Sequence, residues 1–144
     1  MSRPDSLIPV IINLHEWAIA NAIIRELERS LRSSPNIRKV RIVLGELQNI
    51  DEAVLRQYLD MMMGEVAPGV EYEIDHEEAV FECLRCGHRW TLRDVNLSDE
   101  EREAIHFVPE AVHAYVKCPK CGSRDYRVVK GRGVRLVYEV GENA

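Results

Sequence analysis

Cys83-Leu84-Arg85-Cys86-Gly87 and Cys118-Pro119-Lys120-Cys121-Gly122 are the two stretches from which the rest of the chain is read. Each is a C-x-x-C knuckle followed by glycine, which lets the backbone turn around a metal and aim N–H groups at thiolates. Two such knuckles with return strands between them predict a closed tetrathiolate zinc site made of Cys83, Cys86, Cys118 and Cys121. The competing chemistry, a redox dithiol, calls for a C-x-x-C at a helix N-terminus in a strand–helix setting. Neither knuckle has that setting. The 31 residues from Gly87 to Lys117 are longer than the usual ribbon interval. Something beyond a bare ribbon is therefore expected there, carrying Ile105-His106-Phe107-Val108-Pro109-Glu110 and His113.

Outward from the knuckles, Val80–Cys83 reads as the entering strand and His88–Leu92 as the leaving one. Ser98 and Glu101 have capping-box spacing at the head of an acidic helical insert over Ser98–Glu103. Strands are expected around Ala114–Lys117 and Tyr126–Val129. Beyond Gly131-Arg132-Gly133, Val134, Leu136 and Tyr138 alternate with Arg135 and Glu139 as a last strand. That strand is too apolar to stand alone, and a ribbon has little core to offer it. It is expected to return to a sheet built by the N-terminal half.

In that half, Ala20, Ile23, Ile24, Leu27 and Leu31 form a helical stripe from Leu14 onward, with Arg25, Glu28, Arg29 and Arg32 facing water. Ser33-Ser34-Pro35-Asn36 ends it. Val40, Ile42 and Leu44 then read as a strand stopped by Gly45. Asp51 is the N-cap of a second helix through Leu55, Leu59 and Met62, and Ala67-Pro68-Gly69 turns into a strand through Tyr72 and Ile74. The fold class that follows is α+β: a small three-stranded sheet with two helices, plus an inserted zinc-ribbon domain. The expected division is residues 14–79 and 131–144 for the α/β domain, 80–130 for the zinc domain, and 1–13 as an N-terminal extension without clear periodicity.

The chain of 144 residues carries 19 basic and 24 acidic side chains for a net charge of −5, which argues against a general nucleic-acid or anionic-membrane binder. Its longest N-terminal apolar run, Leu7–Ile12, contains Pro9 and is too short to span a bilayer, so a soluble cytoplasmic protein is expected. Gly64–Gly69 has phosphate-loop glycine spacing, but Val70-Glu71 stand where a lysine and a hydroxyl are needed. His15-Glu16 is followed by Trp17-Ala18-Ile19, so it opens no H-E-x-x-H helix, and no G-x-S-x-G elbow occurs. With all four cysteines assigned to zinc, an enzyme is not expected. One function class the knuckles suggest is a zinc-ribbon nucleic-acid-binding or adaptor module. Against it, residues 80–130 hold 9 basic and 8 acidic side chains and show no basic stripe with interleaved aromatics.

Leu14-His15-Glu16-Trp17-Ala18-Ile19-Ala20, Val43-Leu44-Gly45-Glu46-Leu47, the paired knuckles and Gly131-Arg132-Gly133 together resemble the HypA/HybF family of nickel metallochaperones. The resemblance runs from Leu14 to about Val140. It implies a nickel-binding α/β domain with an inserted zinc domain, delivery of Ni²⁺ as cargo during [NiFe]-hydrogenase maturation, and structural Zn²⁺. The partners it implies are a HypB-type GTPase and the [NiFe]-hydrogenase large subunit; a second copy of the chain is a further candidate. Carried over residue by residue, His15 is the nickel ligand, Glu16 its neighbour in the site and Leu14 a donor through its backbone or an N-terminal amine. The Ile-His-Phe segment makes His106 the ligand candidate from the zinc domain, with His113 a poorer one. Ni(II) favours square-planar nitrogen donors, which an imidazole with adjacent backbone amides supplies.

One feature departs from the family. Its members begin Met-His-Glu, whereas thirteen residues precede Leu14 here. An internal Leu14 offers only an amide, while a free amine with a pKa around 7.7–8.0 supplies a lone pair far more readily. Two readings stay open: a genuine extension with an altered site, or translation starting at Leu14 through a leucine codon that doubles as a start codon. Asn13 with Glu16 also has capping-box spacing, which accounts for the acid without metal.

Overall fold

The computed structural model describes residues 14–141; the extension 1–13, with Asn13 and the question of the chain start, lies outside the described residues. Two compact units are present. Among the described residues, the first comprises 14–41, 50–73 and 136–141, the second 42–49 and 74–135.

In the first unit, helix α1 (Leu14–Ser33) buries Ala20, Ile23, Ile24 and Leu27 and turns Arg25, Glu28 and Arg29 to water. Acidic Glu16 in its first turn and basic Arg32 in its last suit the helix dipole. Strand β1 (Ile37–Gly45) follows the turn at Pro35. Helix α2 (Glu52–Val66) starts where Asp51 Oδ1 accepts the Val54 N–H at 3.2 Å, and buries Leu55, Leu59 and Met63 at four-residue spacing. Of the consecutive Met61, Met62 and Met63, Met63 is core, whereas Met61 is exposed. A turn with Gly69 at φ 85° leads into β2 (Glu71–Glu77).

The last strand, β6 (Val134–Val140), completes a sheet of order β2-β1-β6. Gly141 N–H donates to Asn36 O at one end and Gly45 N–H to Gly133 O at the other, both 2.8 Å, so β1 and β6 run antiparallel. The apolar C-terminal strand does return to the N-terminal sheet. There the Ser30 hydroxyl donates to Tyr138 Oη at 3.0 Å, fixing the face of β6 that meets α1.

The second unit contains β3 (Val80–Cys83) at the centre of a sheet of order β4-β3-β5, with β4 spanning Arg89–Thr91 and β5 Tyr126–Lys130. The register sets Phe81 opposite Trp90 and Val128. Phe81 and Trp90 stack with centroids 5.5 Å apart, and Tyr126 stands edge-on to both. Leu47, Leu92, Ile105, Val112 and Val116 close the cluster. The expectation that a ribbon has little core is therefore corrected: the insert between the knuckles supplies one.

That insert begins with α3 (Asp99–Phe107), where Ser98 and Glu101 form the expected reciprocal cap at 3.1 and 2.9 Å. The strand expected around Ala114–Lys117 is absent. A 3-10 turn over Pro109–Ala111 leads instead into α4 (Val112–Tyr115). Pro109 is preset for a helical first position. The carbonyls of Val112 and Val116 are taken up by the Tyr126 hydroxyl at 2.9 Å rather than by a ladder.

The motif glycines meet in this unit. Leu47 N–H donates to Gly131 O, Gly131 N–H to Glu77 Oε1 and Ala79 N–H to Glu46 Oε1, at 2.8–3.0 Å. A Cβ on Gly131, at φ 92°, would lie 2.2 Å from Ala79 Cα. Only glycine permits that approach.

Candidate metal centre

Both knuckles present sulfur in the same way. Cys83 N–H donates to His88 O at 2.8 Å, while Gly87 N–H donates to Cys83 O at 3.0 Å with Gly87 at φ 76°. Gly122, also at φ 76°, returns to Cys118 O at 2.8 Å. These turns free the Arg85 and Cys86 amides to donate to Cys83 Sγ at 3.4 Å, and the Cys121 amide to Cys118 Sγ at 3.5 Å. Cys83 and Cys118 are buried, Cys86 and Cys121 exposed.

The four Sγ atoms lie within 4.8 Å of one another, with Cys83–Cys121 at 3.5 Å and Cys86–Cys118 at 3.7 Å. A tetrahedron with Zn–S arms of about 2.3 Å has sulfurs about 3.8 Å apart. The cluster fits a structural zinc ion. The Cys86 amide, with that of Arg85, holds the Cys83 thiol down at about 6. At Cys121 the Ser123 amide pulls down, but the neighbouring thiols and burial outweigh it and raise the group to about 11. Four thiolates repel one another at this spacing, and a dication makes the fully deprotonated set favourable.

At the other end of the chain, His15 is exposed in the first turn of α1, and Glu16 beside it is buried, at 6% exposure. Glu16 Oε2 accepts the Asp51 N–H at 3.1 Å, so one carboxylate ties the first turn of α1 to the cap of α2. The spacing of His15 and Glu16 was legible, but the Asp51 anchor was not, because the two residues are 35 positions apart.

His106 sits half-buried in the last turn of α3, and Phe107 beside it is 88% exposed. His113 stacks on the Tyr126 ring at 4.9 Å, and its carbonyl accepts from Arg124 at 3.2 Å. His113 thus serves the packing of the second knuckle's approach. His15 and Glu16 belong to the first unit, His106 and His113 to the second.

Comparison with known proteins places these features in a family. Residues 14–139 match the family described as "Hydrogenase/urease nickel incorporation, metallochaperone, hypA". The chain is 45% identical over 128 residues to the hydrogenase maturation factor HypA of Pyrococcus furiosus, covering 85% of this chain and 92% of that protein. It is 48% identical over 126 residues to its counterpart in Thermococcus gammatolerans, covering 84% and 91%. Among solved structures, that of the Ni metallochaperone HypA from Helicobacter pylori shares the fold with a TM-score of 0.55 at 20% identity, over 87% of this chain and 96% of that one. The chain belongs to the HypA family of hydrogenase/urease nickel-incorporation metallochaperones.

Proposed function

We propose that this chain binds Ni(II) at the N-terminal turn of α1 and delivers it, in the cytoplasm, to the large subunit of a [NiFe]-hydrogenase with the help of a HypB-type GTPase. The observation that carries the reading is the buried Glu16 carboxylate on the Asp51 amide, which holds the first turn in place while His15 projects to solvent. His15 is the imidazole donor, and backbone nitrogens of the Leu14–Glu16 turn complete a planar set. Deprotonated backbone amides beside an imidazole are the nitrogen donors that Ni(II) favours. Binding therefore releases protons and weakens on acidification.

Glu16 acts here as an anchor of the turn. The four-cysteine site holds Zn²⁺ as a structural ion. The domain assignment that accompanies this reading keeps 14–79 and 131–144 as the nickel domain and 80–130 as the zinc domain. The chain supplies the metal site and the GTPase supplies nucleotide hydrolysis.

A transfer assay tests the proposal. Nickel-loaded, zinc-containing protein is mixed with the GTPase and a large-subunit precursor, and nickel in the precursor is counted. Transfer by the wild type and none by His15→Ala supports the reading; equal transfer by both contradicts it. Glu16→Gln, which keeps one acceptor oxygen for the Asp51 amide, is expected to retain most binding, whereas Glu16→Ala loses it.

A further inference from the structure

Beside the second knuckle lies a cleft of about 450 Å³, with Val95 and Asn96 on one side and Tyr115, Lys117 and Pro119 on the other. Both walls are extended chain outside any sheet. Val95 follows a 3-10 turn over Leu92–Asp94 at φ −123°, and Val116 leaves α4 at φ −109°. Val116 N–H donates to Val112 O at 2.8 Å and Cys118 N–H to Ser123 O at 2.9 Å. Between them, Lys117 N–H and C=O make no hydrogen bond among the described residues. An exposed rung of that kind is what an added strand pairs with.

The charge around the cleft runs against that of the chain. The chain carries −5, yet residues 84–93 and 111–124 contain no carboxylate and hold Arg85, Arg89, Arg93, Lys117, Lys120 and Arg124. Arg89 and Arg93 pair with Glu82 and Glu78, and Arg124 donates to the carbonyls of His113 and Ala114. Lys117 and Lys120 are exposed and form no ion pair among the described residues. The carboxylate that lines the cleft, Asp94, is occupied: it accepts the Thr91 N–H at 2.9 Å and the Thr91 hydroxyl at 3.3 Å.

A zinc ion with four thiolates carries −2, and Lys117 and Lys120 flank Cys118 and Cys121. Neither lysine donates to a sulfur, whereas backbone amides do. The two ammonium groups thus stay at the surface, beside Tyr115 at 43% exposure and an exposed Pro119.

We propose that this cleft docks an acidic segment of a partner protein in extended form. The segment's backbone pairs with Lys117 N–H and C=O, its carboxylates meet Lys117 and Lys120, and an apolar side chain between them lies on Tyr115 and Pro119. Nucleic acid, the other polyanion, needs a longer cationic track with several stacking rings. Tyr115 is the single ring among the residues lining this cleft. The surface shares no residue with the proposed nickel turn, so the two proposals fail independently.

Fluorescence anisotropy tests it with a short labelled peptide of glutamates around a central leucine, and with its glutamine analogue. The glutamate peptide is expected to bind the full zinc-loaded chain about tenfold more tightly than the analogue. Lys117→Glu with Lys120→Glu is expected to remove that advantage, with zinc content measured alongside; Lys117→Gln with Lys120→Gln serves if the charge reversal costs zinc. Tyr115→Ala is expected to weaken binding about fivefold at high salt as at low, because an apolar contact is not screened. Arg25→Glu with Arg32→Glu makes the same change of net charge on α1 and is expected to leave the affinity unchanged. Equal binding of the two peptides overturns the proposal, as does binding that the lysine variants leave intact or that the α1 variant weakens equally. Displacement of the peptide by oligothymidylate overturns it in favour of nucleic acid.

Discussion

The two compact units solve the problem of a small core differently. The first packs two amphipathic helices against each other, with Ala20, Ile24 and Leu27 buried on one and Leu55, Leu59 and Met63 on the other. Aliphatic burial suffices there. The second has short strands of three to five residues around β3 and relies on an aromatic triad, Phe81, Trp90 and Tyr126, beside the four-cysteine cluster. A metal bound there would contribute folding energy directly, so the second unit is expected to depend on zinc more than the first.

The largest expected effect breaks that comparison at the metal. Cys118→Ser, or chelation, is expected to abolish zinc binding, which in small structural sites is worth about 10–16 kcal/mol. Hydrogen exchange should then show lost protection over 81–126, with 20–31 and 55–66 still protected. The aromatic core leaves the apo unit collapsed rather than extended, so near-ultraviolet dichroism from Trp90 and Tyr126 falls without disappearing. Full zinc stoichiometry in Cys118→Ser would end this account of the site.

A second substitution sharpens the boundary between the units. Leu47 follows β1 and falls on the α/β side of the division drawn from sequence, yet it is fully buried in the cluster with Phe81 and Trp90. Leu47→Ala is expected to cost about 2–5 kcal/mol, felt in the exchange of 81–116 and not of 55–63. Protection lost at 55–63 instead would move Leu47 to the other unit.

What was legible in the sequence was local. The C-x-x-C spacing, the Ser98–Glu101 cap, Asp51 and the alternation of 134–138 each declare themselves within a few residues. The misread segment, Ala114–Lys117, was short and apolar enough for either period, and its conformation is decided by the Tyr126 hydroxyl taking the Val112 and Val116 carbonyls from across the unit. The same holds for Glu16, whose partner Asp51 no spacing rule names. Leu47 fails for a third reason: its burial depends on the Gly131 backbone reaching its amide, a contact spanning most of the chain.

A smaller effect concerns pH. The Arg135 guanidinium, and then the Gly131 amide, hold the Glu77 carboxyl below its ordinary 4.5. Because the folded value is the lower one, the stabilisation is present above the unfolded value and lost as pH falls through the folded one. Glu77→Gln is expected to lower stability at neutral pH and to flatten the acid limb of the stability curve; an unchanged acid limb would contradict this. The smallest effect is a gain. Gly64 lies exposed inside α2 with no atom within 4 Å of an added Cβ. Gly64→Ala should stabilise the first unit by about 1 kcal/mol in thermal unfolding, leaving zinc content untouched.

The central claim is that nickel and zinc occupy separate sites set up by different ends of the sequence. Metal analysis of the zinc-loaded protein after Ni(II) titration, followed in the ultraviolet–visible for the square-planar absorption, tests it most directly. The account predicts one nickel bound with the zinc retained in the wild type, and in His15→Ala no such absorption with the zinc still in place. Nickel that displaces zinc, or that binds His15→Ala as it binds the wild type, would contradict it.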